Sequence, residues 1–462
     1  MKNIFAILFF FQSVLFATLI GPNVELRDFD VLEELDIDKS FITDYNLQKT
    51  YNSLLAKNSQ KTYLRKLNDA SLFVPKIKKI LRQEGLPSTF IYLAMAESYF
   101  TIDAKSYVNA RGIWQFMKPT AKQFGLKNNV YLDERMDLVK STYAASRYLK
   151  YLKKRFGKWY LAALAYNCGE GRVIEAITRA TIDMYEKKYG KKNKYSKDIK
   201  GYRKTIAAFT RKRLPFSKIH AIYKKVTKWD VKPDIYDLLV VQKKIRRQYL
   251  PNESRHYLRK IISLAMLNNH NFITSDDNEH LLNMGVSNTV ATVNIRGGLH
   301  LNNVAHTIGM KPMALFKLNR HVKRGIIPPY FKSYPIYIPY NLLSRYQANK
   351  NNIKNTRFAI YKVRSGDTLY AIARKYKIPY SLIKKQNSLK TNRLKLKQRL
   401  VIPVLASSVR ASYAKKRTHK VRSGDTLLSI AKSYRTSLKK LKKDNKLKTS
   451  MIKIGDRIVI NY

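Results

Sequence analysis

Residues 133–157, "DERMDLVKSTYAASRYLKYLKKRFG", carry a long helical pattern of apolar side chains. The apolar residues recur at steps of seven, four, three and four, so they share one face of a helix: Leu138, Ala145, Leu149, Leu152 and Phe156. Gly157 follows directly, and a glycine just after the last periodic residue is typical of a helix end. The stretch therefore predicts an amphipathic helix whose apolar face joins a core.

The flanking residues, from 71 to about 270, follow the same kind of pattern. "KPTAKQFGL" (118–126) predicts a short helix with Pro119 near its start and Gly125 at its end. "LPSTFIYLAMAES" (86–98) predicts another helix. A sheet would need alternating apolar runs, and this region has no such run of comparable length. We expect a mainly α domain here.

The chain is strongly basic. It has 462 residues, 90 Lys plus Arg against 31 Asp plus Glu, and a formal net charge of +59. At about 150 residues per domain, this length predicts roughly three domains. The charge predicts attraction to a polyanion, which could be nucleic acid, anionic lipid or a cell-wall polymer. The alternative is that the lysines are spread over solvated helix faces and bind nothing in particular.

The N-terminus, "MKNIFAILFFFQSVLFATLI", combines a lysine, an apolar run and small residues, which predicts a signal peptide at 1–17. An uncleaved anchor stays open because apolar residues continue to Ile20, although the run is short for a membrane span of about 20 residues. Cys168 is the only cysteine, so no intramolecular disulfide can form and no lipoprotein cysteine follows the signal. We expect a periplasmic monomer that binds no nucleic acid; peripheral association with a membrane stays open.

Two C-terminal segments repeat each other: "YKVRSGDTLYAIARKYKIPYSLIKKQN" from Tyr361 and "HKVRSGDTLLSIAKSYRTSLKKLKKDN" from His419. Each segment begins and ends in an alternating apolar stretch and has two short helical patterns between. This predicts small α+β modules of strand, helix, helix and strand at 361–403 and 419–462. The residues between them, 404–418, are small, polar and basic, as in a flexible linker.

Residues 290–340 look like a third, degenerate copy of the repeat. "GGLHLNNVA" replaces "GDTLYAIA", and Asn319 falls where the other copies have Asn387 and Asn445. Because the turn differs, we expect this copy to pack against the protein and not to bind a ligand.

Glu97 ends the helix predicted at 86–98. A carboxylate near a helix C-terminus meets the negative end of the helix dipole, and apolar neighbours disfavour its charge, so both raise its pKa. A general acid for glycoside cleavage needs a carboxyl group that is protonated near neutral pH. The pattern alone leaves open that Glu97 is an ordinary exposed glutamate.

Three motifs occur in order, "ESYF" (97–100), "ARGIWQFM" (110–117) and "AYNCGEG" (165–171), and "LPNESRHY" (250–257) follows. They resemble the catalytic domain of lytic transglycosylases of the D type, a lysozyme-like α-helical fold that is followed by LysM repeats. The resemblance implies that Glu97 is the catalytic acid and base. It also implies that the substrate is bound by Ser98, Gln115, Met117, Tyr166 and Asn167.

The C-terminal repeats resemble LysM domains, which bind N-acetylglucosamine-containing glycans. The resemblance implies that glycan strands of peptidoglycan are the partner. It places the glycan-binding residues at the "GDT" turns and the later asparagines: Gly366, Asp367, Thr368, Asn387, Gly424, Asp425, Thr426 and Asn445.

The number of carboxylates bears on the reaction. Ordinary glycosidases use two carboxyl groups about 5 to 9.5 Å apart, and the motifs supply only Glu97. The resemblance implies non-hydrolytic cleavage of the β-1,4 bond between N-acetylmuramic acid and N-acetylglucosamine, a 1,6-anhydromuramyl product, and no metal or cofactor. Two alternatives stay open: a hydrolytic muramidase with Asp103 or Glu170 as base, and a catalytically silent LysM wall-binding protein.

The remaining segments complete the expected organisation. We expect an N-terminal helical segment of unassigned role at 18–70, the lysozyme-like domain at 71–185 and a basic helical extension at 186–270. The lysines and tyrosines of the extension could hold an anionic strand or a membrane surface, or could be a solvated insertion.

Overall fold

The computed structural model describes residues 24–211, 213–243, 245, 247–270, 273, 289–353, 357–376, 378–404, 417–434, 436–445, 447 and 449–460. The expected signal peptide and most of the expected linker lie outside these residues. Within the described part of the chain, no helix is both long and apolar enough to cross a membrane. The chain forms two compact units: one within 1–293, 310–323 and 337–349, the other within 294–309, 324–336 and 350–462.

The first unit is helical, which confirms the expected mainly α fold. Its helices in the described residues before 270 are α1 (Asp28–Glu34), α2 (Tyr45–Leu55), α3 (Lys57–Ala70), α4 (Val74–Gln83), α5 (Phe90–Ser98), α6 (Lys118–Gln123), α7 (Leu138–Phe156), α8 (Trp159–Cys168), α9 (Glu170–Tyr189), α10 (Ser196–Thr210), α11 (Phe216–Val226), α12 (Ile235–Leu239) and α13 (Asn252–Leu267). Helix α7 has the predicted bounds, and Gly157 ends it in the left-handed region at φ +78°.

One hydrophobic core joins the N-terminal segment, the motif-bearing region and α13. Leu47 and Tyr51 of α2 are fully buried in the same cluster as Trp114. The hydroxyl of Tyr63, in α3, donates to the backbone oxygen of Leu264, in α13, at 3.2 Å. The boundary expected at residue 185 falls inside α9, and α13 belongs to the central core. The basic extension expected at 186–270 therefore includes a helix of the central core.

Helices α9, α10 and α11 enclose a smaller core within that basic region. Tyr195 stacks on Trp229 with ring centres 4.5 Å apart, and Tyr185 packs on both rings. Ile182, Ile219 and neighbouring apolar residues complete this cluster. The lysines lie outside it, exposed to solvent.

The three repeats fold as predicted, each with two strands around two helices. The first repeat has β1 (Val290–Arg296), α14 (Leu301–Thr307), α15 (Pro312–Leu318) and β2 (Ser333–Pro339), and α16 (Leu343–Asn349) follows it. The second has β3 (Arg357–Lys362), α17 (Leu369–Tyr376), α18 (Tyr380–Gln386) and β4 (Arg399–Val404). The third has β5 (Arg417–Lys420), α19 (Leu427–Ser433), α20 (Leu438–Asp444) and β6 (Arg457–Ile460). In the second and third sheets the strands are antiparallel, with Tyr361 opposite Leu400 and His419 opposite Ile458.

Part of the degenerate repeat belongs to the first unit and packs on the start of α7. The hydroxyl of Tyr337 donates at 2.5 Å to the buried carboxylate of Asp137, which also caps α7. The backbone of Lys323 donates to the oxygen of Tyr131 at 2.7 Å, and Asp133 donates to the oxygen of His321 at 2.9 Å. These contacts agree with a packing role for this repeat.

Candidate active site

Glu97 is positioned by the burial of the helix that carries it. Every residue of α5 from Phe90 to Met95 is buried, so the helix is enclosed by the core. Tyr99 adopts the left-handed region at φ +47° and ends the helix directly after Glu97 and Ser98. The carboxyl group of Glu97 is partly buried and lines a cavity of about 660 Å³.

The hydroxyl of Tyr257 donates a hydrogen bond of 2.6 Å to Oε1 of Glu97. The pKa of Glu97 is raised to about 7, mainly by burial. The hydrogen bond from Tyr257 and the charge of Lys260 oppose this rise, and the charge of Glu253 adds to it. Burial beside Glu97 also raises the pKa of Tyr257 well above its usual value, so the phenol remains a donor. The carboxyl group is thus held near the midpoint of its titration at neutral pH, as a general acid requires.

The loop 111–117 follows α5 and is fixed to it by Ser98. The buried hydroxyl of Ser98 donates to the oxygen of Ile113 at 2.9 Å and to that of Ala94 at 3.1 Å. Trp114 is fully buried and donates to the hydroxyl of Thr142 at 3.0 Å, so it belongs to the core. Ser98 therefore connects helix α5 to the loop.

Gly112 allows this loop to lie against the chain segment before α7. A side chain at Gly112 would place its Cβ 1.8 Å from the backbone oxygen of Arg135, and Gly112 has φ +83°. Gln115 adopts φ +44°, and its amide donates to the oxygen of Gly112 at 2.7 Å. Met117 follows, 41% exposed, at the start of α6. Of the loop residues expected to bind substrate, Met117 is thus the more accessible, and the amide of Gln115 is engaged within the loop.

Tyr166 and Asn167 lie at the end of α8, and their hydrogen bonds differ. The hydroxyl of Tyr166 donates to the oxygen of Trp114 at 2.7 Å, and burial beside Glu97 raises the pKa of Tyr166 well above its usual value. Asn167 lines the Glu97 cavity and accepts a hydrogen bond of 2.7 Å from Ser254. The phenol that bonds Glu97 is therefore that of Tyr257, and not that of Tyr166.

The candidate bases named from the sequence are engaged elsewhere. Asp103 pairs with Arg320 at 3.1 Å, and Glu170 pairs with Arg155 at 3.1 Å. Neither lines the cavity that holds Glu97, whereas Glu253, in the first turn of α13, does. Glu253 is therefore the carboxylate to test for a hydrolytic reaction.

Sequence reasoning missed Tyr257, Glu253 and the cavity wall formed by α2. The "LPNESRHY" motif carried a signal for the first two, since it contains both residues, but nothing in the spacing of residues 45–55 indicated a place beside Glu97. Burial raises the pKa of Cys168 to about 11, which disfavours the thiolate and a nucleophilic role. Among the described residues no group of three His, Cys, Asp or Glu side chains could hold a metal ion.

The "GDT" turns of the second and third repeats have matching hydrogen bonds. The carboxylate of Asp367 accepts from the backbone of Arg364 at 2.6 Å, and that of Asp425 accepts from the backbone of Arg422 at 2.8 Å. Thr368 and Thr426 cap the first helix of each repeat. Gly366 and Gly424 are exposed with φ +79° and +85°. The turns are thus rigid and accessible.

The asparagine that recurs at the same place in each of the three repeats has a structural explanation. Both amide hydrogens of Asn387 are bonded to backbone oxygens, of Ile383 at 2.8 Å and Val401 at 2.7 Å, and its oxygen accepts from Val401. Asn445 and the buried Asn319 make the same three bonds in their repeats. These side chains fasten the second helix to the last strand and have no amide hydrogen left to donate to a glycan.

Comparison with known proteins assigns families to these regions. The family "Transglycosylase SLT domain" matches residues 75–188, and "LysM domain" matches 361–403 and 419–461. "Lytic transglycosylase MltD, LysM-like domain" matches 289–355.

Among curated relatives, the membrane-bound lytic murein transglycosylase D of Escherichia coli K12 is 28% identical over 433 residues, which cover 88% of this chain and 82% of that protein. The protein of the same name from Escherichia coli O6:H1 gives the same figures. The crystal structure of the Bacillus cereus spore cortex-lytic enzyme SleL is 30% identical over 22% of each chain, with a TM-score of 0.10. The chain thus has an SLT domain and two LysM domains, and over most of its length it is similar to lytic murein transglycosylase D.

Proposed function

We propose that this protein is an exported peptidoglycan lytic transglycosylase. It would cleave the β-1,4 bond between N-acetylmuramic acid and N-acetylglucosamine without water and leave a 1,6-anhydromuramyl end. One observation carries the proposal: the carboxyl group of Glu97 lines a large cavity, accepts a hydrogen bond from Tyr257, and has a pKa of about 7. The relatives named as lytic murein transglycosylases support the same chemistry.

In the first step, protonated Glu97 donates its proton to the leaving oxygen of the glycosidic bond. Tyr257 donates to Oε1 of Glu97, so the acidic proton is carried on the other oxygen. As the bond breaks, positive charge develops at the muramyl C1, and the neighbouring N-acetyl group of the substrate stabilises it. The Tyr257 hydrogen bond strengthens as Glu97 becomes ionised, because a charged acceptor binds a donor more tightly.

In the second step, the ionised Glu97 takes the proton from the muramyl C6 hydroxyl while that oxygen bonds to C1. The proton that left Glu97 is on the N-acetylglucosamine product, and the proton from the C6 hydroxyl restores the acid. No water is consumed, so a single carboxyl group suffices.

The alternative in which water attacks C1 would need a second carboxylate, and Glu253 lines the same cavity. Replacement of each residue by glutamine separates the two reactions. The proposed reaction predicts that Glu97→Gln abolishes cleavage of purified sacculi while Glu253→Gln retains it. Loss of cleavage in Glu253→Gln, with rescue by Glu253→Asp, would favour hydrolysis.

The LysM domains would hold the enzyme on its insoluble substrate by raising its local concentration. The exposed "GDT" turns are the proposed glycan contacts, and the positive net charge favours a wall whose peptides carry carboxylates. A catalytically silent wall-binding protein would bind sacculi without releasing fragments. Equal fragment release by wild type and Glu97→Gln would exclude Glu97 from the reaction.

A further inference from the structure

One wall of the Glu97 cavity comes from helix α2, which lies outside the SLT match at 75–188. The wall residues recur at steps of three and four, so they form a single polar face of the helix. They are Asn46, Lys49, Thr50 and Ser53. The opposite face of the helix, with Leu47 and Tyr51, is buried in the core. The N-terminal segment therefore supplies a surface to the cavity as well as packing.

Helix α2 is fixed relative to the catalytic acid by an ion pair. Asp44 caps α2 by accepting from the backbone of Leu47 at 2.7 Å. The same carboxylate accepts two hydrogen bonds, of 2.7 and 2.9 Å, from the guanidinium of Arg259. Arg259 is two residues from Tyr257, and its side chain and that of Asp44 are only 6% and 13% exposed. The wall and the Glu97–Tyr257 pair therefore form a preorganised site.

The charges that line the cavity favour an anion. Lys49 is exposed and has no hydrogen bond or ion pair with any residue that the structure describes. Lys260 is held by the oxygen of Ala96 at 3.3 Å and by the ring of Tyr99 at 4.7 Å. The acidic residues on the cavity wall are Glu97 and Glu253. Apart from Glu97, the cavity is thus lined by two lysines and His256 against one acidic residue, Glu253.

We propose that the α2 wall is a substrate subsite in which Lys49 binds a carboxylate of the peptide stem carried by a muramyl residue. This deepens the proposed function and rests on it. In an intact strand the glycan itself offers hydroxyl and amide groups, because the lactyl carboxyl group is bonded to the stem as an amide, whereas the stem peptide adds carboxylates at a distance from the sugar. Asn46, Thr50 and Ser53 can bond the amides of such a stem, and Lys49 its charge. The enzyme should then distinguish charged stems from neutral ones.

The test compares substrates that differ in charge. Full-length protein is assayed on peptide-bearing glycan strands and on the same strands after the stem carboxylates are converted to amides. Strands stripped by an amidase form a third arm, because they expose a lactyl carboxylate on the sugar itself. The measured quantity is the ratio of kcat/KM between the charged and the amidated strands.

For wild type we expect this ratio to be about two- to fivefold, the range that an accessible ion pair contributes. Lys49→Glu should bring the ratio to one or below. Lys57→Glu makes the same charge change in α3, outside the cavity wall, and should keep the wild-type ratio.

A ratio of one for wild type, or equal ratios for wild type and Lys49→Glu, would overturn the subsite. Wild type could also cleave stripped strands as fast as charged peptide strands, and Lys49→Glu could lower kcat/KM on the stripped strands. That result would assign Lys49 to the lactyl carboxylate and would also overturn the proposed subsite. Reducing ends in place of anhydro ends in the products would contradict the proposed reaction but leave the ratio, and hence the subsite, standing.

Discussion

Replacement of Glu97 by glutamine should stabilise the protein in a pH-dependent way while it removes activity. In the folded protein the pKa of Glu97 is about 7, against an ordinary value of 4.5. The unfolded chain therefore releases its proton at a lower pH than the folded chain does. As pH rises from 4.5 to 7, the folded protein increasingly holds a proton that the unfolded chain has lost, so its stability falls.

The magnitude follows from that gap. At about 1.4 kcal/mol for each pH unit, the gap between 4.5 and about 7 corresponds to about 3 kcal/mol of unfolding free energy lost by pH 8. Glutamine is nearly isosteric, can accept the hydrogen bond from Tyr257 and does not ionise. The unfolding free energy of Glu97→Gln relative to that of wild type should thus be about 3 kcal/mol higher at pH 8 than at pH 4. In the melting temperature of the first unit this corresponds to about 6 °C.

Differential scanning calorimetry at pH 4, 6 and 8 measures this difference for wild type and Glu97→Gln. Glu253→Gln, which removes an exposed carboxylate from the same cavity, controls for the general effect of lost negative charge in a basic protein. The reasoning is refuted if Glu97→Gln changes the melting temperature by the same amount at pH 4 and pH 8, or if Glu253→Gln reproduces its pH dependence.

Two further predictions concern the partners of Glu97 and the LysM domains. Tyr257→Phe removes a hydrogen bond that lowers the pKa of Glu97, so the alkaline limb of the pH–rate profile should move to higher pH. The same change should lower kcat about tenfold. A lower kcat with an unmoved alkaline limb would argue against a role of Tyr257 in setting the pKa of Glu97. Asn387→Ala removes three partly buried hydrogen bonds and should destabilise its LysM domain by about 2 kcal/mol. That variant should lose more activity on sacculi than on short soluble strands, and equal losses would contradict tethering.

The predictable parts of the fold were those set by local patterns. The periodicity of α7, the stop at Gly157 and the strand, helix, helix, strand order of the repeats depend on near neighbours in the chain, and the structure reproduces them. Glu97 was identifiable because its motif and its place at a helix end agree. The reason for glycine at position 112 lies outside such local patterns, because the close contact is with the backbone of Arg135.

The rest of the site depends on contacts between distant segments. Tyr257 lies 160 residues from Glu97, and only tertiary packing brings α13 against α5. Helix α2 carries no motif, and its polar face would be read from sequence as ordinary solvent-facing surface. The asparagines of the repeats, which the LysM resemblance places among the glycan contacts, also have a structural role that the sequence did not indicate, since each amide joins a helix to a strand.

The central claim is that one carboxyl group, Glu97, serves as both acid and base and that water takes no part. Digestion of sacculi in water enriched in oxygen-18, followed by mass spectrometry of the released muropeptides, tests it directly. The account predicts muramyl ends that are one water lighter than reducing ends and carry no oxygen-18. Reducing muramyl ends labelled with oxygen-18 would contradict it.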